Sequence, residues 1–360
     1  MLGAALLSCT NQSTATSSPS ASGHTQSQAA DLRTHLDLLL SEQVMIVAKE
    51  SAAAVNHSDE YVPYTALLAV NSADLSRLIA GAFGKTAADQ FAQVWGSQNV
   101  FLVDYAIGVV THDDIKAVAA MSALTGSFAP QFAQLVNAMS RLPLDQVTLL
   151  MRQQIQDDKA FIDDVFAAGY SDYYAHLDRA YAQTAHFGDA LTAQIAAKFP
   201  DKFPGDAFTN AVNIRVSLNN LLQEHSYLVT MATDATIAGR SAEATAAAPA
   251  LHLNADRLAS VFATMMGGAT SAPFSNLWAS RTTALLGYAN GNVDARLMLI
   301  DTFAPRFASF THVEPILITT QIGAELNVID DQRAKSSKGV ANDDRAAATA
   351  MQPIADSIQG

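Results

Sequence analysis

The hexapeptide FAPQFA occupies residues 128–133 and returns as FAPRFA at residues 303–308. Other identities follow the same order on both sides of it, which is the pattern of an internal repeat. A shift of 183 residues aligns 68–110 with 251–293 and gives 13 identities in 43 ungapped positions. Shifts of 182 before this block and 167 after it extend the match. The sequence therefore predicts a tandem duplication, with halves at 31–205 and 206–360.

The repeated hexapeptide has the composition of a helix start. Ser127 and Thr302 precede the two copies and are good N-cap residues. Pro130 and Pro305 then fall in a first helical turn, where a missing backbone N–H costs no hydrogen bond. We therefore expect each copy to begin a helix, with its phenylalanines on one face.

Composition and periodicity both favour helices. The chain is 49% hydrophobic and 15% charged, with few alternating β-branched runs. Phe91, Trp95, Leu102 and Tyr105 follow a helical spacing that places them on one apolar stripe. Helical segments of this kind recur with short connections, which favours antiparallel neighbours. We predict an all-α fold made of two tandem up-and-down helical bundles related by internal duplication.

The net charge of −13 argues against a nucleic-acid partner. Binding to a phosphate backbone needs a basic face, which a chain with 21 basic and 34 acidic residues cannot easily assemble. Nucleic acid is therefore excluded from the expected partners.

The N-terminal segment MLGAALLSC, residues 1–9, ends in the only cysteine of the chain. A short apolar run and a small residue before Cys9 resemble the lipobox of bacterial lipoproteins. The resemblance implies that residues 1–9 are part of a signal peptide and that Cys9 is lipidated. The Ser/Thr-rich residues 10–30 would form a flexible tether. This implies a cell-membrane protein, held by lipid at the extracytoplasmic face without a transmembrane helix.

The most informative residues are polar ones that interrupt the apolar stripes. Counting heights from alternate helix ends places four of them at similar depth in each half. Buried polar groups must satisfy one another, water or a ligand, because an unpaired one costs about 1–3 kcal/mol. The candidate core polar site consists of Gln43, Asn71, Gln98 and Asp158 in the first half and of His225, Asn254, Arg281 and Glu325 in the second. Arg281 and Glu325 are expected to form a buried ion pair.

Three roles for these polar layers stay open: fixing helix register, holding a small ligand or an ion, and catalysis. An aromatic wall beside them is the functional alternative to simple core packing for Trp95, Tyr105, Trp278 and Tyr288.

The sequence offers no motif for a cofactor or a catalytic residue, and a bound metal ion remains an alternative. His57 and Glu60 have the His-x-x-Glu spacing seen in helical envelope proteins of the imelysin kind. The pair falls in a loop and the second copy lacks it, so a metal site there is not favoured. The preferred function is a membrane-tethered binding or interaction module for an envelope protein or a small ligand. The alternative is a ligand- or metal-handling bundle, possibly enzymatic.

Overall fold

The structure, a computed structural model, describes residues 26–358. These residues form helices and turns and contain no strand, so the prediction of an all-α fold is confirmed. The signal peptide, Cys9 and most of the tether lie outside the described residues. Helices of the first half are α1 (Gln28–Val55), α2 (Tyr61–Phe83), α3 (Lys85–Val110), α4 (Asp114–Ala123), α5 (Ala129–Ser140), α6 (Leu144–Phe166) and α7 (Tyr170–Lys198).

The second half repeats this order with shorter late elements. Its helices are α8 (Asn210–Ile237), α9 (Ser241–Met266), α10 (Ser271–Ala289), α11 (Asp294–Leu297), α12 (Ala304–Thr311), α13 (Pro315–Ala334), α14 (Ser337–Thr349) and α15 (Met351–Ser357). Gly84 and Gly267 end α2 and α9 at equivalent places, with φ of 88° and 95°. Glycine suits both positions because it adopts positive φ without a steric penalty.

Helices α5 and α12 begin within the repeated hexapeptide, but the predicted N-cap roles of Ser127 and Thr302 are wrong. Both residues lie inside π-helical turns, Leu124–Phe128 and Met298–Phe303, which continue α4 and α11. The backbone N–H of Ala129 reaches back five residues to the Leu124 carbonyl. A proline follows each turn within two residues, where it has no N–H to donate. The helical backbone is therefore continuous through a widened turn at each copy.

Helices α1 and α8 form the centre of the molecule, packed against each other and against helices of both halves. They are buried over most of their length and on several faces. One continuous cluster of buried apolar residues extends from Leu32 to Ile358. The two halves thus share a core, which a pair of independent bundles would not do.

Equivalent residues of the two halves make equivalent contacts. Asn71 donates to the Leu39 carbonyl at 2.9 Å, and Asn254 donates to the Leu221 carbonyl at 2.9 Å. The aromatic clusters also correspond: Trp95 stacks on Phe91, and Trp278 stacks on Phe274, both at 5.5 Å between ring centroids. These repeated contacts support the predicted duplication.

Helix α2 has the length and apolar composition of a membrane-crossing helix, although the sequence predicted no such segment. One third of the residues in its most apolar 18-residue segment are buried within the bundle. Its polar residues also have partners on other helices, since Asn71 binds Glu42 and Asp74 binds Arg345. These contacts pack one side of α2 against its neighbours in the bundle.

Candidate functional site

All eight residues of the candidate core polar site are buried. The apolar stripes of the sequence therefore located inward-facing polar groups correctly. Whether these groups meet in a layer differs between the halves.

The second-half residues form a connected chain of contacts. Arg281 Nη2 lies 2.5 Å from Glu325 Oε2, which gives the expected ion pair, and 3.0 Å from Gln321 Oε1. Its guanidinium also packs over the Trp278 ring at 4.8 Å from the centroid. The Trp278 indole in turn contacts His225 at 4.8 Å between ring centroids. With Asn254, which contacts His225, the cluster joins four helices, α8, α9, α10 and α13.

His225 connects two members of this cluster, Asn254 and Trp278. Its Nδ1 lies 3.0 Å from Asn254 Oδ1 and 3.2 Å from Trp278 Nε1. When protonated, Nδ1 donates to the amide oxygen; when unprotonated, it accepts from the indole, so it serves one partner at a time. Burial, reinforced by the nearby Arg281 charge, lowers the pKa of His225 well below its usual value. The imidazole is therefore neutral in the folded protein.

The four first-half residues do not bind one another. Gln43 donates to Asn99 at 2.8 Å, while Asn71 donates to Glu42 at 2.8 Å. Asp158 accepts from Gln154 at 2.7 Å, and Gln98 Oε1 has no hydrogen-bond partner among the described residues. Helical periodicity predicted the burial of these groups, but similar heights along the helix axes did not predict their partners.

Asp158 is the first-half residue with the strongest chemical signature. Burial raises the pKa of its carboxyl group from 3.8 to about 7, and the neighbouring Asp157 adds to the effect. An unfolded chain ionises this group above about pH 4, whereas the folded chain holds its proton up to about pH 7. As the pH rises from about 4 to about 7, ionisation of this group is therefore expected to lower the free energy of unfolding. Above about pH 7 its contribution should be constant.

Replacement of Asp158 by asparagine is expected to remove this pH dependence. The free energy of unfolding of Asp158→Asn should exceed that of the wild type by about 2–4 kcal/mol at pH 8, with little difference at pH 4. Urea unfolding at both pH values checks the prediction. Glu50 and Glu60 also have pKa values raised to about 7 by burial, but they are present in both proteins and do not affect the difference. A difference that is equal at both pH values would contradict it.

The four residues of the predicted aromatic wall are buried as core contacts. Trp95 and Trp278 stack within their phenylalanine clusters. Tyr105 and Tyr288 donate to equivalent carboxylates, Asp163 at 2.5 Å and Asp330 at 2.8 Å. Trp95, Tyr105 and Tyr288 make packing and supporting contacts, whereas Trp278 also contacts Arg281 and His225 of the polar site.

A cavity of about 650 Å³ lies where the two halves meet, and sequence reasoning missed it. The ends of α1, α8 and α13 and the starts of α2, α9 and α14 surround it. Its volume falls in the range typical of small-molecule sites. Four basic and four acidic side chains line it: Lys49, Arg240, Arg333, Lys335, Asp59, Glu60, Asp234 and Glu243.

Most of the buried charges around the cavity are paired within the protein. Arg240 binds Asp234 at 2.5 Å and Glu243 at 2.7 Å, and Lys49 binds Asp344 at 2.6 Å. The carboxylate of Glu60 is different, because it has no hydrogen bond or ion pair with any described residue. Burial raises the pKa of Glu60 to about 7, and the Asp234 charge contributes.

The His57 and Glu60 pair disfavoured by the sequence analysis lies in this cavity, and its counterpart in the second half also lies there. The shift of 183 aligns His57 with Arg240 and Glu60 with Glu243. Arg240 neutralises Glu243, whereas His57 makes no contact with Glu60. The alignment held a signal that could have located the cavity. Arg240 and Glu243 form an ion pair in the second half, whereas the aligned Glu60 of the first half has no cation at the position of Arg240.

Among residues 26–358, no group of three or more His, Cys, Asp or Glu side chains is placed to hold a metal ion. Comparison with known proteins gives no match: no family model, no curated protein and no solved structure is significantly similar to this chain.

Proposed function

We propose that this protein is a binding module whose ligand is a small zwitterionic molecule, such as an amino acid or a short peptide, held in the cavity between the halves. The observation that carries the proposal is the half-buried Glu60 carboxylate, which has no partner among the described residues, in a cavity whose buried charges are paired. Glu60 would accept the ligand's ammonium group. The Lys335 side chain, which also lines the cavity and has no partner among the described residues, would meet its carboxylate.

The experiment is a thermal-shift and calorimetric titration of the full chain with a panel of free amino acids, dipeptides and tripeptides. Glu60→Gln removes the charge while keeping the size of the side chain, and we expect it to weaken binding at least tenfold. Lys335→Gln should weaken binding of ligands that carry a free carboxylate, but not of their amides.

Two matched controls separate this site from general electrostatics. Glu314→Gln and Lys338→Gln make the same charge changes at exposed residues that do not line the cavity. Both should leave affinity unchanged. Absence of binding across the panel, or equal loss in the Glu314→Gln and Glu60→Gln variants, would overturn the proposal. Binding of a divalent cation alone, abolished by Glu60→Gln, would instead support the metal-handling alternative.

We also propose that the binding module is tethered to the outer side of a bacterial membrane through Cys9. The support is the lipobox-like segment and the Ser/Thr-rich residues that follow it. Because one cysteine in such lipoproteins carries more than one acyl chain, anchoring would be stable. Expressed in a bacterium, the wild-type chain should sediment with membranes, and Cys9→Ser should release it. Equal distribution of the two proteins would contradict the tether.

A further inference from the structure

A second and smaller pocket opens between α7, α8 and α9, away from the cavity between the helix ends. Its volume is about 270 Å³. Its walls are mainly apolar, and Leu253 at the rim is 45% exposed, so the pocket opens to solvent. An apolar cavity of about 150 Å³ already accommodates a benzene ring, so this one can hold a single ring with a short side chain. The apolar lining comprises Ala175, Leu177, Leu228, Ala246, Pro249 and Leu253.

The carboxyl groups of Asp178 and Glu224 border this apolar pocket, and one guanidinium, that of Arg257, lies near them. Arg257 binds both oxygens of Asp178, one of them at 2.9 Å. Glu224 is buried and accepts a hydrogen bond from the side-chain amide of Asn254 at 2.9 Å. Burial raises the pKa of Glu224 to about 7; the Asp178 carboxylate adds to the effect, while the Asn254 hydrogen bond and the Arg257 charge oppose it. The guanidinium binds Asp178, so Glu224 has no ion pair of its own with the described residues at the wall of the pocket.

The aligned acid of the other half has an arginine bound directly to it. There Arg345 binds both Glu42 oxygens at 3.0 Å and also reaches Asp74 at 2.5 Å. The shifts of the repeat align Glu42 with Glu224 and Arg345 with Asp178. Arg345 thus forms a direct ion pair with Glu42, whereas in the second half Arg257 binds Asp178 and not Glu224.

A polar atom without a partner points to a ligand in the same pocket. The Tyr174 side chain lines the pocket and is buried, and its hydroxyl has no hydrogen-bond partner among the described residues. An unsatisfied buried hydroxyl costs about 1–3 kcal/mol. A bound molecule with a polar group would remove that cost.

We propose that this pocket binds a small organic cation with an apolar body, that is, an aromatic or aliphatic amine. Its ammonium group would pair with Glu224 and its ring or chain would fill the apolar walls. The Tyr174 hydroxyl would contact the polar end of the ligand. The site is independent of the zwitterion site and shares no lining residue with it.

Phenethylamine is the probe, and its uncharged analogue phenethyl alcohol is the matched comparison. Calorimetry and NMR titration of the full chain should show saturable binding of the amine and at least tenfold weaker binding of the alcohol. Glu224→Gln retains an acceptor for Asn254, so the fold should be preserved. It should weaken amine binding at least tenfold and leave alcohol binding unchanged.

Two further variants make the result decisive. Ala250→Leu fills the pocket and should abolish binding of both probes, while unfolding measurements verify that the variant is folded. Asp256→Asn removes a carboxylate from the exposed face of the same helix, α9, and should have no effect. No saturable amine binding at millimolar concentration would overturn the proposal. Amine binding that is indifferent to Glu224→Gln or to Ala250→Leu would also overturn it.

Discussion

Arg281→Met is expected to destabilise the protein by about 3–5 kcal/mol. The substitution leaves Glu325, which is buried, without its ion-pair partner at 2.5 Å. It also removes the hydrogen bond that Arg281 donates to the Gln321 side-chain oxygen. Urea unfolding followed by circular dichroism measures the effect. Arg296→Met, an exposed arginine of α11, serves as the control and should change stability by no more than about 0.5 kcal/mol.

The aligned residues of the first half suggest a second substitution that should restore the stability lost in the Arg281 variants. Gln98 and Asp158 align with Arg281 and Glu325, so a largely uncharged version of this cluster already exists in the same fold. Arg281→Gln alone should be nearly as damaging as Arg281→Met. Adding Glu325→Gln removes the stranded charge and should recover at least half of the loss. A double variant as unstable as the sum of its single variants would show that the ion pair is not what stabilises this layer.

The burial of these residues could be predicted from sequence because helical periodicity alone decides which side of a helix faces inward. Partners could not be predicted in the same way. Gln43 and Asn71 lie at similar heights, yet one binds Asn99 and the other binds Glu42. A hydrogen bond depends on rotation about the helix axis and on side-chain reach as well as on height. Those quantities are fixed only by the packed helices.

The junction between the halves was missed for a different reason. The prediction of two separate bundles placed no helix of the second half against the side of α1 that carries Glu42 and Lys49. The structure packs the second half on that side, and both residues are buried. The repeat did hold a signal, because Arg33 and Glu42 recur as Arg215 and Glu224. Charged residues kept in both copies of a helix with few other charges are expected to have fixed partners.

Lys49→Met is expected to produce the second large loss, again about 3–5 kcal/mol. Lys49 of α1 binds Asp344 of α14 at 2.6 Å and donates to Thr230 of α8 at 2.9 Å, so it ties the first half to the second. Tyr64 of α2 donates to the same carboxylate at 3.0 Å. Without the ammonium group, Asp344 stays buried as an uncompensated charge, because two hydroxyl donors cannot replace a cation. Urea unfolding measures the loss.

The aligned residues of the repeat show what an uncharged junction looks like. Met231 aligns with Lys49 and Leu177 aligns with Asp344, and both are buried. Lys49→Met combined with Asp344→Leu and Tyr64→Phe should therefore be at least 2 kcal/mol more stable than Lys49→Met alone, since no unpaired charge or hydroxyl of these residues remains. If the triple variant is instead the least stable of the set, the ion pair contributes net stability that apolar packing cannot supply. Recovery would mean that the charges at the junction are retained for a purpose other than stability, and Lys49 lines the cavity in which we place the ligand.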